Sequence, residues 1–240
     1  RSGEASDAPA LATVPAEATS NVASVQVDRD HSPESAAEFA RMREFRPCPH
    51  RANHPELLFV YDTLSASKLS CPPIFAVGAD GSCTPTHRGA YYKNVRNEWA
   101  TLVAVPPYSR YQDALAFTRS LGDFHLQTYG VSHTPDVLWA DLGTAEDIAA
   151  AGGAEGGKTR PCFCLSVCTD GVWDNWKFEE VAEFLLDADR VAKVAGSEDA
   201  EAATMELMAA NLDRARVNFG NQADNMSAVS CYLMPRPATE

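Results

Sequence analysis

The sequence predicts an α+β chain, and three segments carry that prediction. Cys162–Cys168 reads as a strand, with Phe163, Leu165 and Val167 on one side and Cys162, Cys164, Ser166 and Cys168 on the other. Apolar on one side and small on the other, it is expected to be buried on both faces. Ala228–Leu233 reads as a last strand, with Val229, Cys231 and Leu233 sharing a face. Between them, Val181, Phe184 and Leu185 mark an amphipathic helix over about 177–187. Met205, Met208 and Leu212 mark a second over about 199–216, with the methionines as ordinary core fillers.

In chain order, residues 1–20 have no periodicity and read as a disordered lead or loop. Val22–Val27 alternates as a short strand. Ser32 is placed to cap a helix whose first turn takes Pro33, and Ala36, Phe39 and Ala40 carry that helix to about Arg43. Leu57–Tyr61 and Ile74–Val77 are strand candidates, the second followed by a Gly78-Ala79-Asp80-Gly81 turn. Tyr91, Tyr92 and Trp99, with Lys93, Arg96 and Arg110, suit a binding surface, but core packing and solvated charge explain them equally well. The stretch 46–108 looks like an elaborated insertion. Ala114–Thr118 is a short apolar segment, and Thr144–Lys158 reads as an exposed loop with a helical start.

Composition narrows the function. The chain has 240 residues, 45% of them hydrophobic, so a substantial core is expected. Its formal net charge of -13 argues against a nucleic-acid partner, whose phosphates need a basic stripe. No stretch approaches the roughly 20 apolar residues of a membrane span. Seven cysteines, three of them on one strand face, fit small core residues better than disulfides, which points to an intracellular compartment, cytoplasmic or nuclear. Cys48, His50 and His54 lack the second ligand pair of a structural zinc site. The chain opens on Arg1 rather than Met, so a processed product or fragment is expected.

The chemistry gathers at two aspartates. Asp170 ends the strand at 162–168, and Asp224 opens the strand at 228–233. If the strands pair antiparallel, both carboxylates reach the same rim of the sheet. Two aspartates brought together repel unless one is protonated or a cation lies between them. Oxygen-only ligands favour Mg²⁺ or Mn²⁺, which polarise phosphoryl oxygens.

Five segments in order resemble the metal-dependent serine/threonine protein phosphatases of type 2C, the PPM family. Asp30-His31-Ser32-Pro33 with Glu38 and Arg41-Met42 is similar to that family's Asp-His-x-Pro…Glu…Arg-Ile helix start. Thr118-Arg119-Ser120-Leu121-Gly122-Asp123-Phe124 resembles its Ser-Arg-x-x-Gly-Asp, and Pro135-Asp136-Val137 its Pro-Asp-Ile/Val. Cys168-Thr169-Asp170-Gly171-Val172-Trp173-Asp174 resembles its Ser-Asp-Gly-Leu-Trp-Asp, and Asp224-Asn225-Met226-Ser227 its Asp-Asn-Met-Ser/Thr. The resemblance covers about residues 22–45 and 109–234.

It implies two stacked antiparallel β-sheets flanked by helices, an αββα sandwich incomplete at its N-terminus, over residues 21–235 with the insertion at about 46–108. It also implies a two-ion Mn²⁺ or Mg²⁺ centre and direct attack of water on a phosphoserine or phosphothreonine of a protein, with no phospho-enzyme. Residue by residue, Asp170 and Asp224 match metal-binding aspartates. Gly171, Trp173, Asp174 and Asn225 match residues supporting them, and Arg119 and Asp123 a structural loop below the site. The family's Asp-Gly-His-Gly-Gly motif, whose aspartate bridges the metals, does not occur in this sequence. The chain is therefore expected to be the C-terminal portion of a monomeric phosphatase, inactive by itself. The alternative expectation is a non-catalytic, phosphatase-like regulatory or binding module.

Overall fold

The fold is described from a computed structural model, which describes residues 31–45, 53–63, 65, 67–138, 162–197 and 199–233. The expected strand at 22–27, the lead at 1–20, the Cys48 and His50 pair and the loop at 144–158 lie outside these residues. The described chain is α+β: six helices and three small antiparallel sheets. No helix among the described residues is long and apolar enough to cross a membrane. The chain divides into two compact units: described residues within 31–93 and 97–136 form one, and 94–96 with those from 137 onward form the other.

The first unit opens with helix α1 (Ala36–Phe45). Its start is three residues later than expected. Ser32 instead closes a local turn, its Oγ accepting from the Glu34 amide at 3.1 Å. Ser35 holds the cap position, its carbonyl accepting from Phe39 N at 3.0 Å and its Oγ from Glu38 N at 3.4 Å. Strands β1 (Leu58–Tyr61), β4 (Thr101–Ala104) and β5 (Ala114–Leu115) form one sheet in the order β1-β4-β5. Strands β2 (Phe75–Val77) and β3 (Cys83–Pro85) form a hairpin whose turn uses Gly81 at φ 83°. A short helix, α2 (Phe124–Gln127), follows.

The core of this unit joins Phe39 and Met42 of α1 to Phe59, Tyr61, Phe75, Val103 and Leu126. Phe39 packs edge-on to Phe59, ring centroids 5.0 Å apart. Strands β1 to β4 all come from the stretch read as an insertion, so that stretch builds the core that α1 packs on. Tyr92 stacks on Trp99 at 4.0 Å, and Tyr91 donates to Asp62 at 2.7 Å, so all three of these aromatic residues make contacts within the fold itself.

The second unit is built on β6 (Phe163–Cys168) and β7 (Ala228–Leu233), paired antiparallel with Cys168 opposite Ala228 and Phe163 opposite Leu233. Helices α3 (Asp170–Trp173), α4 (Phe178–Leu185), α5 (Ala188–Ser197) and α6 (Ala200–Asn218) lie between the two strands in sequence. Asp199 caps α6, its carboxylate accepting from Ala202 N at 3.0 Å. Val172, Trp176, Val181, Leu185 and Leu207 form the core, with Cys164, Cys168 and Tyr232 packed against it.

Two expectations are corrected here. Strand β6 is not buried on both faces. Its cysteine face packs on the core, while Leu165 is 51% and Val167 65% exposed, with Val229 at 69% across the ladder. The small thiol side chains leave room for Trp176 and Leu207, so the core takes the small face and not the aliphatic one. Helix α6 is also turned from its expected face: Met205 is 62% exposed, and Ala203, Leu207, Asn211 and Ala215 are buried instead. Burial pushes the Cys168 thiol up to about 11, and the described cysteines are all free.

Candidate functional site

The pairing of β6 with β7 runs one step past both strands. Thr169 N donates to Ser227 O at 3.0 Å, and Ser227 N to Thr169 Oγ1 at 2.9 Å. The chain then turns away on each side, at Asp170 and at Asp224. The expected antiparallel geometry is present, and it places both aspartate turns at one end of the sheet.

The turns are in contact. A Cβ added to Gly171 would lie 2.2 Å from the Asn225 carbonyl oxygen and 3.3 Å from that of Asp224. Only glycine allows this approach. Asp170 then starts the one-turn helix α3, its carbonyl accepting from Asp174 N at 2.7 Å. Trp173 Nε1 donates back to Cys168 O at 3.0 Å, folding the indole under the strand end.

A cavity of about 310 Å³ opens between the turns, lined by Gly171, Asp174, Asn175, Phe219, Gln222, Ala223 and Asp224. Asp174 and Asp224 therefore share one space. Asp170 is exposed at its margin and does not line it; its Oδ1 accepts from the Gly171 amide at 3.0 Å. Asp224 Oδ1 likewise accepts from the Asn225 amide, at 2.7 Å. Among the described residues neither Asp170 nor Asp224 forms an ion pair, and no group of three or more His, Cys, Asp or Glu side chains stands ready to hold a metal.

Two groups that sequence reasoning missed hold this end of the sheet. Asn211 of α6 is completely buried. It accepts from Trp176 Nε1 at 3.1 Å and donates to Gly171 O at 3.0 Å and to Met226 Sδ at 3.2 Å. Asn175, also buried, adds a second donor to Gly171 O at 3.1 Å. The signal for Asn211 was a polar residue at the i, i+4 position of an otherwise apolar row. Arg96, left open between binding and solvation, caps the far end of the turn. It donates to Trp173 O and, at 3.0 Å, to Trp176 O, and its guanidinium lies 4.8 Å from the Phe178 ring centre.

Arg119 and Asp123 belong to the other unit, and their side-chain partners lie within it. Arg119 pairs with Glu38 at 2.6 Å and with Asp136 at 2.8 Å. Arg41 and the Thr118 hydroxyl complete the set around Glu38, each at 2.8 Å. His31 reaches Asp136 at 3.1 Å. Burial alone pushes the Glu38 carboxyl up, but the bonds from Arg119, Arg41 and Thr118 outweigh it and hold the group at about 2. Asp136 is also lowered, by its bond from His31 against a burial effect and by Arg119. Asp123 sits at φ 55° and accepts from Ser120 Oγ at 2.5 Å. A scan against protein-family models, a search of curated proteins and a search of solved structures each gave no match to this chain.

Proposed function

We propose that this chain is the C-terminal part of a metal-dependent protein phosphatase that hydrolyses phosphoserine and phosphothreonine in proteins, and that by itself it is inactive. The observation that supports this most is the register of β6 and β7, which brings the Asp170-Gly171 turn into contact with the Asp224-Asn225 turn. The five ordered segments resembling the PPM family support it from the sequence side, and the stacking of two sheets into a sandwich belongs to the same proposal.

The donor chemistry fits Mn²⁺ or Mg²⁺: carboxylate oxygens only, on turns fixed by backbone contact. Asp170 and Asp224 are assigned as the ligands, with Asp174 behind them. Bound Mn²⁺ or Mg²⁺ supplies Lewis acidity at a phosphoryl oxygen. The chain's own part is positional: Gly171 admits the close approach, Trp173 anchors the turn to β6, and Arg96 caps it. Two carboxylates are fewer than a complete set of protein ligands, in keeping with a partial site.

One observation favours the second reading, a non-catalytic module: the described residues gather no cluster of three metal-binding side chains. Mn²⁺ titration of the wild-type chain, Asp170→Asn and Asp224→Asn separates the two. The phosphatase reading expects binding by the wild type and a loss of about tenfold or more in either variant. No binding by the wild type, or undiminished binding by both variants, overturns the metal assignment. Robust Mn²⁺-stimulated hydrolysis of a phosphopeptide by the chain alone overturns the claim that it is inactive.

A further inference from the structure

Helix α6 turns Ala203, Leu207, Asn211 and Ala215 to the core, one residue per turn. Asn211, at 0% exposure, is as deep as Leu207. An amide in that row gives up its hydration, and a leucine of similar size packs there without that cost. What the amide adds is direction. Its Oδ1 takes the Trp176 indole N–H, and its Nδ2 meets the carbonyl of Gly171 and the sulfur of Met226. Gly171 is the neighbour of Asp170, and Met226 lies two residues past Asp224. One buried side chain therefore touches both aspartate turns from behind, while the Asn225 carbonyl stops Gly171 from the front. Sulfur is a weak acceptor, so the grip on the second turn works through this closure as much as through the bond itself.

We infer that Asn211 is a positioning residue that sets the separation of the two aspartate-bearing turns and thereby the affinity of the site for a divalent cation. The inference rests on reading Asp170 and Asp224 as metal ligands. A merely structural role differs in what it moves: it lowers stability and leaves the turns where they are in the folded protein.

The double variant Asn211→Leu/Trp176→Phe removes the amide together with the indole donor that depends on it, so no buried donor is orphaned there. Asn211→Ser, smaller and still polar, is the second variant should the double one fail to fold. Each is compared with the wild-type chain by Mn²⁺ titration, read as loss of the free-ion electron-resonance signal, and by hydrogen exchange of the amides at 170–174 and 224–227. The expected result is a folded variant with Mn²⁺ affinity lower by about tenfold, the scale seen when groups supporting metal ligands are removed. Exchange is expected to rise at both turns and not across α4 and α5. Wild-type affinity with unchanged exchange at the turns overturns the inference, as does exchange that rises evenly through the unit. If the wild-type chain binds no Mn²⁺, the metal reading falls by itself. The exchange comparison then still decides whether Asn211 positions the turns.

Discussion

The two units treat their carboxylates in opposite ways, one burying an acid among cations and the other leaving two exposed at a sheet end. In the first, Glu38 is 4% exposed and surrounded by Arg119, Arg41 and Thr118. Every oxygen has a donor, and the carboxylate is fixed as an anion. In the second, Asp170 and Asp224 stand at the end of a sheet and accept only from the amides that follow them, with no ion pair among the described residues. Carboxylates that carry their own cations are finished structures; carboxylates brought together without them have room for a cation from outside. The contrast, more than the presence of aspartates, marks the second unit as the place to look for chemistry.

The sharpest way to break this comparison is to empty the finished site. Glu38→Ala leaves Arg119 and Arg41 facing each other without their shared anion, and a loss of about 3–5 kcal/mol in unfolding free energy is expected by urea denaturation. A loss under about 1 kcal/mol would show that the network is solvated and that the two units do not differ as described.

Acid tests the same point. The Glu38 carboxyl is lowered in the folded chain from its usual 4.5 to about 2, so its contribution is complete above pH 4.5 and disappears as the pH falls toward 2. We expect roughly 1–3 kcal/mol of acid-sensitive stability in that window, after allowing for solvent around the arginines, and a flatter profile in Glu38→Gln. In the second unit, Gly171→Ala drives a methyl group into the Asn225 carbonyl, and a loss of about 1–3 kcal/mol accompanied by faster exchange at both turns is expected. Arg96→Ala removes two carbonyl bonds and the ring contact; about 1 kcal/mol is expected, with Arg96→Lys recovering part of it because a single ammonium replaces the fork.

The sequence made the second unit easier to read than the first. The antiparallel partnership of 162–168 with 228–233 was legible as a condition, because one strand ends and the other begins beside an aspartate turn, and only antiparallel pairing puts those two turns together. Helices at 178–185 and 200–218 followed from their spacing. Their rotation did not, because Met205 and Met208 outweigh Ala203 and Ala215 in any hydrophobic count, although the small residues are what a closely packed helix buries. Helix α5 went unread, because Val191 and Val194 are too few to set a period against Asp187, Asp189 and Glu198.

At the site, Asp224, Gly171 and Asp174 were named from motif chemistry, whereas Asn211 left only a faint signal, one amide in an apolar i, i+4 row. An asparagine inside a long helix reads as a solvated residue until its partners, up to 40 residues away along the chain, are folded against it. Arg119 was read as part of a structural loop, but its partner Glu38 lies 81 residues upstream, and no local pattern announces that distance.

The indole of Trp176 has a consequence for how this protein can be watched. It is 3% exposed, donates to Asn211 Oδ1 and lies under the Arg214 guanidinium at 3.4 Å. Trp173, three residues earlier, points its N–H at the strand end beside Asp170. Two of the chain's four tryptophans are thus wired to the aspartate turns, and a third, Trp99, is stacked on Tyr92 in the other unit. The emission of this protein is therefore not a bulk measure of folding. Trp176 is the most buried of the three described tryptophans, so the blue edge of the emission is expected to report on that end of the sheet without a label.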